Sequence, residues 1–406
     1  MRDNNRILFV APASIPVNGA EAIVNVKLLK LLVSKGYRID VISKRAKWEH
    51  YPLMQEEELQ RSLESLTVIE IENRLSLQTI WYHLMALLRF GVVFKGAYWA
   101  YVASKRVKEL VREKDYKCIM TKNMPSELVG YWTKRRYEIP WLATWNDPYP
   151  RERFPEPYGK GPEARLWLLK RPLIKKMKMA NAHFFPSARL RDYMQSYLKC
   201  DKDKTYVIPH IVEPIRRIHS PSSDGILKIC YIGCLDGPRQ PWTTIDALGV
   251  FHKKHSGLLF KMDFIGTTPP GTKEAIISNN LGGIVNVYPP VSYSDSLVLM
   301  QEYDLALVIE APCPEGVFLP SKISDAMAVG LPILAVSPAI GVLHDLYESG
   351  YIRYFSDVTR PESIVEGLDS VVSDFVANRL GNLPVPENFQ PGSISRQYDV
   401  ILAAVS

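Results

Sequence analysis

Glu315-Gly316-Val317-Phe318-Leu319-Pro320-Ser321-Lys322-Ile323-Ser324-Asp325-Ala326-Met327-Ala328-Val329-Gly330-Leu331-Pro332 lies between two apolar runs, Leu305 to Ile309 and Ile333 to Ser337. Pro320 suits a first helical turn, and Gly330 with Pro332 stops the helix after about three turns. Strand, loop, helix, strand is the repeating unit of a parallel sheet covered by helices. Lys322 and Asp325 are three positions apart and share a helix face. They read as a surface ion pair or as part of a site. A cation in a first turn stands against the positive end of the helix dipole, and an anion bound there would relieve that conflict.

The alternation continues outward on both sides. In the second half, strands are expected at Ile229 to Gly233, Lys261 to Gly266 and Val285 to Tyr288, besides the two already named. In the first half they are expected at Arg6 to Ala11, Arg38 to Ser43, Leu66 to Ile71, Lys117 to Thr121, Trp141 to Thr144, His183 to Pro186 and Tyr206 to Pro209. Leu28, Leu29, Leu31, Leu32 and Val33 give the first helix its apolar face, and Gly36 sits where a left-handed residue would end it. Glu213 to Asp224, with Pro214, Pro221 and three serines, reads as a linker. The expected fold is therefore α/β, two doubly wound Rossmann-like domains facing a central cleft. Residues 1–212 form the N-terminal domain, 213–385 the C-terminal domain, and 386–406 a helix that packs back toward the first. Ligands of such sheets bind at the carboxyl ends of the strands, where loops meet helix N-termini.

The 406 residues are 47% hydrophobic and 23% charged, which excludes disordered, collagen-like and coiled-coil classes. Of three charge-free stretches, Ala275 to Ser294 and Ala326 to His344 are broken by Gly and Pro, and Leu75 to Leu88 is too short to span a bilayer. Polar residues lead from Met1 directly into the first strand, so the expected location is cytoplasmic. Cys118, Cys200, Cys230, Cys234 and Cys313 have neither zinc-site nor disulfide spacing and read as reduced packing residues. The net charge of +7 divides unevenly, +15 over residues 1–200 and −8 over 201–406. A basic half attracts phosphorylated substrates, anionic lipid or nucleic acid, or is simply a solvated surface.

Two loops carry candidate phosphate sites. Pro12-Ala13-Ser14-Ile15-Pro16-Val17-Asn18-Gly19-Ala20-Glu21 follows the first strand, and Gly19 lets backbone N–H groups approach an anion at a helix start, or merely starts the helix. It matches neither the GxGxxG nor the Walker pattern. Gly233-Cys234-Leu235-Asp236-Gly237-Pro238-Arg239-Gln240-Pro241 opens the second series, where Arg239 is placed to clamp a diphosphate with paired hydrogen bonds. Asp201-Lys202-Asp203, the sole Asp-x-Asp, falls in a polar turn away from the strand ends and reads as solvated. Leu75 to Lys108 is rich in aromatics (Trp81, Tyr82, Phe90, Phe94, Tyr98, Trp99, Tyr101) and reads as ordinary core or as an acceptor surface. Arg165 to Lys178 places Arg165, Lys170, Arg171, Lys175, Lys176 and Lys178 among leucines, the pattern of a basic amphipathic helix at an anionic membrane, which Pro172 would kink or divide.

Taken in order, these motifs resemble the retaining GT-B glycosyltransferases of family four, the "group 1" transferases. Gly19 and Glu21 resemble that family's opening glycine loop and Gly-x-Glu segment. Trp145-Asn146-Asp147-Pro148-Tyr149-Pro150 resembles the loop ending a central strand, and His183 to Ser187 with Val207 to Pro209 the last strands before the crossover. The Gly-x-Leu-x-x-x-Arg turn and the Pro-Ser-Lys-x-x-Asp helix resemble a variant associated with cell-surface polysaccharide synthesis. The resemblance implies transfer of a sugar from a nucleoside diphosphate sugar to a saccharide or lipid-linked saccharide, without a metal or other cofactor. It implies that Arg239 and Lys322 stabilise the departing diphosphate, Lys322 standing in for an arginine displaced by Cys234. Gly19, Gly233, Glu315, Gly316, Val317 and Phe318 join them in donor binding, and Asp325 matches the acid that holds ribose hydroxyls. The family's first acid falls on Val317, with Glu315 two residues early. Asn146 stands where members carry a histidine near the donor sugar, and Asp147 is the candidate for orienting the acceptor. An anionic membrane surface at the inner face of the plasma membrane is a candidate partner; nucleic acid is not.

Two other functions fit the same outline. A nucleotide-sugar epimerase of this shape needs several acid–base residues at the strand ends, and the sequence offers few. A non-catalytic partner subunit would account for Cys234, Val317 and Asn146 replacing polar groups.

Overall fold

Ile7, Leu8, Phe9 and Val10 have no exposed surface at all. An unbroken apolar run of this kind belongs to a parallel strand covered on both faces. It is an interior strand of the first of two units in a computed structural model that describes residues 5–16, 19–45, 56–71, 76–92, 94–166, 170–213, 215, 224–381 and 384–405.

The first unit comprises Met1–Phe154, Gly161–Ile211 and Pro391–Ser406. Its strands and helices run β1 Arg6–Val10, α1 Ala20–Ser34, β2 Arg38–Lys44, α2 Glu57–Ser62, β3 Ser65–Ile69, α3 Leu77–Phe90, α4 Ala97–Glu113 and β4 Cys118–Lys122. They continue with α5 Ser126–Tyr137, β5 Trp141–Thr144, α6 Arg171–Met177, β6 Ala182–Phe185, α7 Ala188–Leu198 and β7 Thr205–Val207. The seven strands are all parallel, in the order β3-β2-β1-β4-β5-β6-β7. The order reverses between β1 and β4, so the crevice of this doubly wound sheet opens at their carboxyl ends. Lys35 ends α1 and Gly36 follows at φ 83°, the left-handed residue that its position predicts.

The second unit comprises Pro155–Lys160 and Val212–Gln390. It contains β8 Leu227–Ile232, α8 Trp242–Lys254, β9 Phe260–Ile265, α9 Thr272–Ser278, β10 Val285–Tyr288, α10 Tyr293–Leu299 and β11 Leu305–Ile309. After these come α11 Ser321–Val329, β12 Ile333–Ser337, α12 Val342–Glu348, β13 Tyr354–Asp357 and α13 Pro361–Val376. Its six parallel strands lie in the order β10-β9-β8-β11-β12-β13, reversing between β8 and β11. One face packs Phe251, Phe264, Leu307 and Leu368, the other Ile265, Val308, Ile323 and Leu343. The last helix, α14 Pro391–Ala404, places Ile394, Tyr398, Ile401 and Leu402 in the core of the first unit beside Phe9, Leu29 and Phe184. Lys35 Nζ ties it down through Asp399 at 2.7 Å.

Three features depart from the sequence reading. β13 was not expected; Tyr-Phe-Ser-Asp is short and half polar, and it forms because it pairs with the outer side of β12. Residues 155–160, inside the expected first domain, group with the second unit. The basic helix expected over residues 165–178 is only α6, because Pro172 occupies its first turn and so starts the helix instead of kinking it. Residues 167–169 of that stretch, most of the 213–224 linker, Val17-Asn18 and Leu75 lie outside the described residues. Among the described residues no helix is long and apolar enough to cross a membrane.

Candidate functional site

At the strand ends of the second unit, β8 is followed by Gly233 with φ 134° and β9 by Gly266 with φ 135°. A Cβ on Gly266 would sit 2.1 Å from the Gly233 carbonyl oxygen, and a Cβ on Gly233 only 3.1 Å from Lys322 Nζ. Gly266 is therefore required by close approach as well as by backbone angle, and Gly233 by its backbone angle. Lys322, in the first turn of α11, lies 3.9 Å over the Tyr231 ring and donates to the Tyr231 hydroxyl at 2.6 Å. That hydroxyl donates in turn to the Cys234 carbonyl at 3.0 Å. Burial, and then the neighbouring Arg239 charge, push the Lys322 ammonium down to about 7, with Glu310 pulling the other way.

Glu310 follows β11 and is almost fully buried. Its carboxylate pairs with Arg239 Nη2 at 3.0 Å. Arg239 Nε and the Tyr158 hydroxyl are both buried with no hydrogen-bond partner among the described residues. Tyr158 packs edge-on against Phe318 with centroids 5.2 Å apart, and burial followed by the Glu310 charge raises its phenol. The cluster thus holds one cation already neutralised by a carboxylate, one amine poised between charged and neutral, and two polar atoms awaiting partners. An anion with several acceptor oxygens would supply what is missing: negative charge for Lys322 and acceptors for Arg239 Nε and Tyr158.

The other expected residues of this unit lie on α11 and on the loop that leads into it. Asp325, almost fully buried, accepts from the Tyr293 hydroxyl at 2.9 Å. Gly316 bridges to Gly341 in parallel, its N–H donating to the Ile340 carbonyl and its carbonyl accepting from the Val342 N–H, each at 2.8 Å. Val317 has no exposed surface. Its side chain is therefore buried rather than turned to a donor, which corrects the expected side-chain contact there. Glu315 and Phe318, half-buried, remain at the loop surface.

In the first unit, Gly19 caps α1 at φ 156°. Glu21 in the following turn accepts from Asn123 Nδ2 at 2.9 Å, and Asn123 Oδ1 accepts from the Asn146 N–H at 2.9 Å. The start of α1 and the ends of β4 and β5 are joined through this one side chain, held at φ 56°. Burial, then the Asp147 charge, pushes Glu21 up to about 8. Burial likewise pushes Glu127 up to about 8 and Lys122 down to about 8. Asp147 is exposed and Asn146 half-buried. Lys122 and Asn146 also line a small, partly open pocket with His210 and Tyr398.

Glu310, Tyr231, Tyr158, Lys122, Asn123 and Glu127 were missed by the sequence reading. Glu310 had a usable signal, a lone acid immediately after an apolar strand. Asp201-Lys202-Asp203 is a solvated turn in which Asp201 pairs with Lys204 at 3.4 Å. Among the described residues, no three His, Cys, Asp or Glu side chains are grouped to hold a metal.

Solved structures share this fold along the whole chain. A protein of Anabaena, Alr3699/HepE, in complex with UDP and glucose is similar with a TM-score of 0.66 and 15% identity, over 98% of this chain and 99% of that one. Sucrose-phosphate synthase from Thermosynechococcus elongatus gives 0.64 and 13%, over 98% and 97%. The lipopolysaccharide outer core galactosyltransferase WaaB gives 0.58 and 14%, over 98% and 97%. Two doubly wound sheets of this order are the GT-B fold. Residues 17–216 carry the domain described as Glycosyltransferase Family 4. No curated protein matches by sequence.

Proposed function

We propose that the protein is a retaining glycosyltransferase that moves a sugar from a nucleoside diphosphate sugar to a saccharide or lipid-linked saccharide in cell-surface polysaccharide synthesis. The observation that carries this reading is Lys322 held against Gly233 and Tyr231, beside Arg239, at the strand-end reversal of the second unit. A diphosphate seated there restores the charge that burial removes from Lys322. Lys322 and Arg239 then stabilise the charge that develops as the sugar departs. The leaving phosphate takes the acceptor proton on the same face, so no strong protein base is needed. Phe318, Glu315 and the Gly316 backbone border the donor, and Asp325 with Tyr293 binds ribose hydroxyls. Asn146 and Asp147 of the first unit serve the sugar and the acceptor hydroxyl, and no metal takes part. A lipid-linked acceptor places the enzyme at the inner face of the plasma membrane.

Thermal shifts with UDP, GDP, ADP, CDP and dTDP, each with and without EDTA, test the donor class. A ligand at 100 times its dissociation constant stabilises the native state by about 2.7 kcal/mol. One nucleotide is expected to shift the transition, equally with EDTA, and Lys322→Ala to abolish transfer with the fold intact. No shift with any nucleotide would favour a non-catalytic subunit.

A further inference from the structure

We propose that the exposed face of α3 inserts into a lipid bilayer bearing anionic headgroups, which deepens the membrane part of the proposed function. An amphipathic helix normally turns its apolar stripe inward. α3 leaves a second one outside: Leu77, Ile80, Trp81, Leu84, Leu87 and Leu88 recur at helical spacing and are exposed, Leu77 by 88%, Leu88 by 70% and Trp81 by 55%. The opposite face is already committed, with Thr79, Ala86 and Phe90 buried. The sole Lys or Arg on α3, Arg89, also points inward, donating to Ser104 at 2.5 Å with its guanidinium 4.5 Å over Tyr101. The outward face therefore carries no formal charge, and an apolar surface this continuous marks an interaction site.

Charge decides the occupant. Residues 73–108 contain no Asp or Glu and six Lys or Arg. Exposed Lys95, Lys105 and Lys108 follow α3, and Lys105 Nζ lies 5.8 Å over the ring of Tyr82 on α3 itself. An apolar stripe with Trp and Tyr at its edge and lysines alongside is complementary to an interface of acyl chains and anionic headgroups. Six side chains of one helix also fall short of the roughly 20 residues a side of a stable protein interface. This places an anionic-membrane contact on α3, apart from the one expected over residues 165–178.

The test is flotation of the full chain with vesicles of phosphatidylcholine alone and of phosphatidylcholine with an equal part of phosphatidylglycerol. The chain is expected to float with the mixed vesicles and much less with the neutral ones. Trp81→Ser, Leu84→Ser and Leu88→Ser together are expected to weaken flotation at least about tenfold, with the unfolding temperature and nucleotide binding unchanged. Lys95→Ser, Lys105→Ser and Lys108→Ser are expected to remove the preference for anionic lipid. Equal flotation of the apolar variant, or no flotation of the native chain, would overturn the proposal. So would a dimer in sedimentation equilibrium that the apolar variant dissociates without either form binding vesicles. Nucleotide binding is read separately, so loss of one reading leaves the other intact.

Discussion

The Lys322 ammonium and the Tyr231 ring are in contact, Nζ lying 3.9 Å from the ring centroid and 2.6 Å from the hydroxyl. An aromatic face and a phenol hold the amine in place but replace little of the water it has lost, which is why burial brings it down to about 7. A bound diphosphate favours the charged form and raises it again. Affinity for a nucleoside diphosphate sugar is therefore expected to fall as pH rises above 7, by up to about tenfold per unit. Calorimetry with the nucleoside diphosphate that gives a thermal shift should show proton uptake on binding at pH 8. Lys322→Arg keeps its charge throughout and should bind with little pH dependence.

Arg239 presents a different balance, since Glu310 already occupies its Nη2 at 3.0 Å. Removing the carboxylate charge by Glu310→Gln leaves the half-buried Arg239 without its buried partner, and the unliganded protein is expected to unfold about 2–4 °C lower. Exposed Asp236, 4.0 Å from Arg239 Nη1, is a weak substitute, so a phosphate becomes the stronger counter-charge and the same variant should bind inorganic pyrophosphate more tightly than the native chain. Weaker binding with no loss of stability would show that Glu310 acts on the ligand rather than on Arg239.

The parallel sheets were readable because buried β-branched and aliphatic runs such as Ile7 to Val10 and Leu305 to Ile309 occur in helix-alternating order with glycines at their ends. Lys322 and Arg239 were readable for the same reason, being polar residues at fixed distances from those ends. Glu310 and Tyr158 were not, because what distinguishes them is the partner they meet across 71 residues in one case and the packing on Phe318 in the other. The exposure of Trp81 was hidden for a third reason. The helical spacing of Leu77, Trp81, Leu84 and Leu88 is identical for a stripe turned inward or outward, and only the packing of Phe90 and Ala86 shows which.

Gly266 offers a test of how tightly the two strand ends are joined. Its φ of 135° is strained for any other residue, and a Cβ would lie 2.1 Å from a backbone oxygen that no side-chain rotation can move. Gly266→Ala must displace the Gly233 turn, and with it the seat of Lys322. It is expected to lower the unfolding temperature by several degrees and to weaken nucleotide binding. Gly257→Ala, which meets nothing within 4 Å, is the control.

Glu21, Lys122 and Glu127 make stability in the first unit depend on pH in a defined window. Both carboxyls titrate near 4.5 in the unfolded chain and near 8 when buried. An acid whose folded value is raised contributes stability that is full below about 4.5 and is lost as pH rises through about 8. Lys122, lowered from 10.5 to about 8, contributes in the opposite sense, losing stability as pH falls from 10.5 to 8. Between pH 5 and 8 the carboxyls dominate, so thermal unfolding of the native chain should shift downward across that range. Glu127→Gln keeps the shape and the capacity to bond Ser126, which now meets Glu127 at 2.7 Å, while removing the titration. The variant should unfold at least about 3 °C above the native chain at pH 8 and close to it at pH 5. Parallel unfolding curves for the two proteins from pH 5 to 8 would mean that Glu127 stays ionised in the fold, held by Lys122.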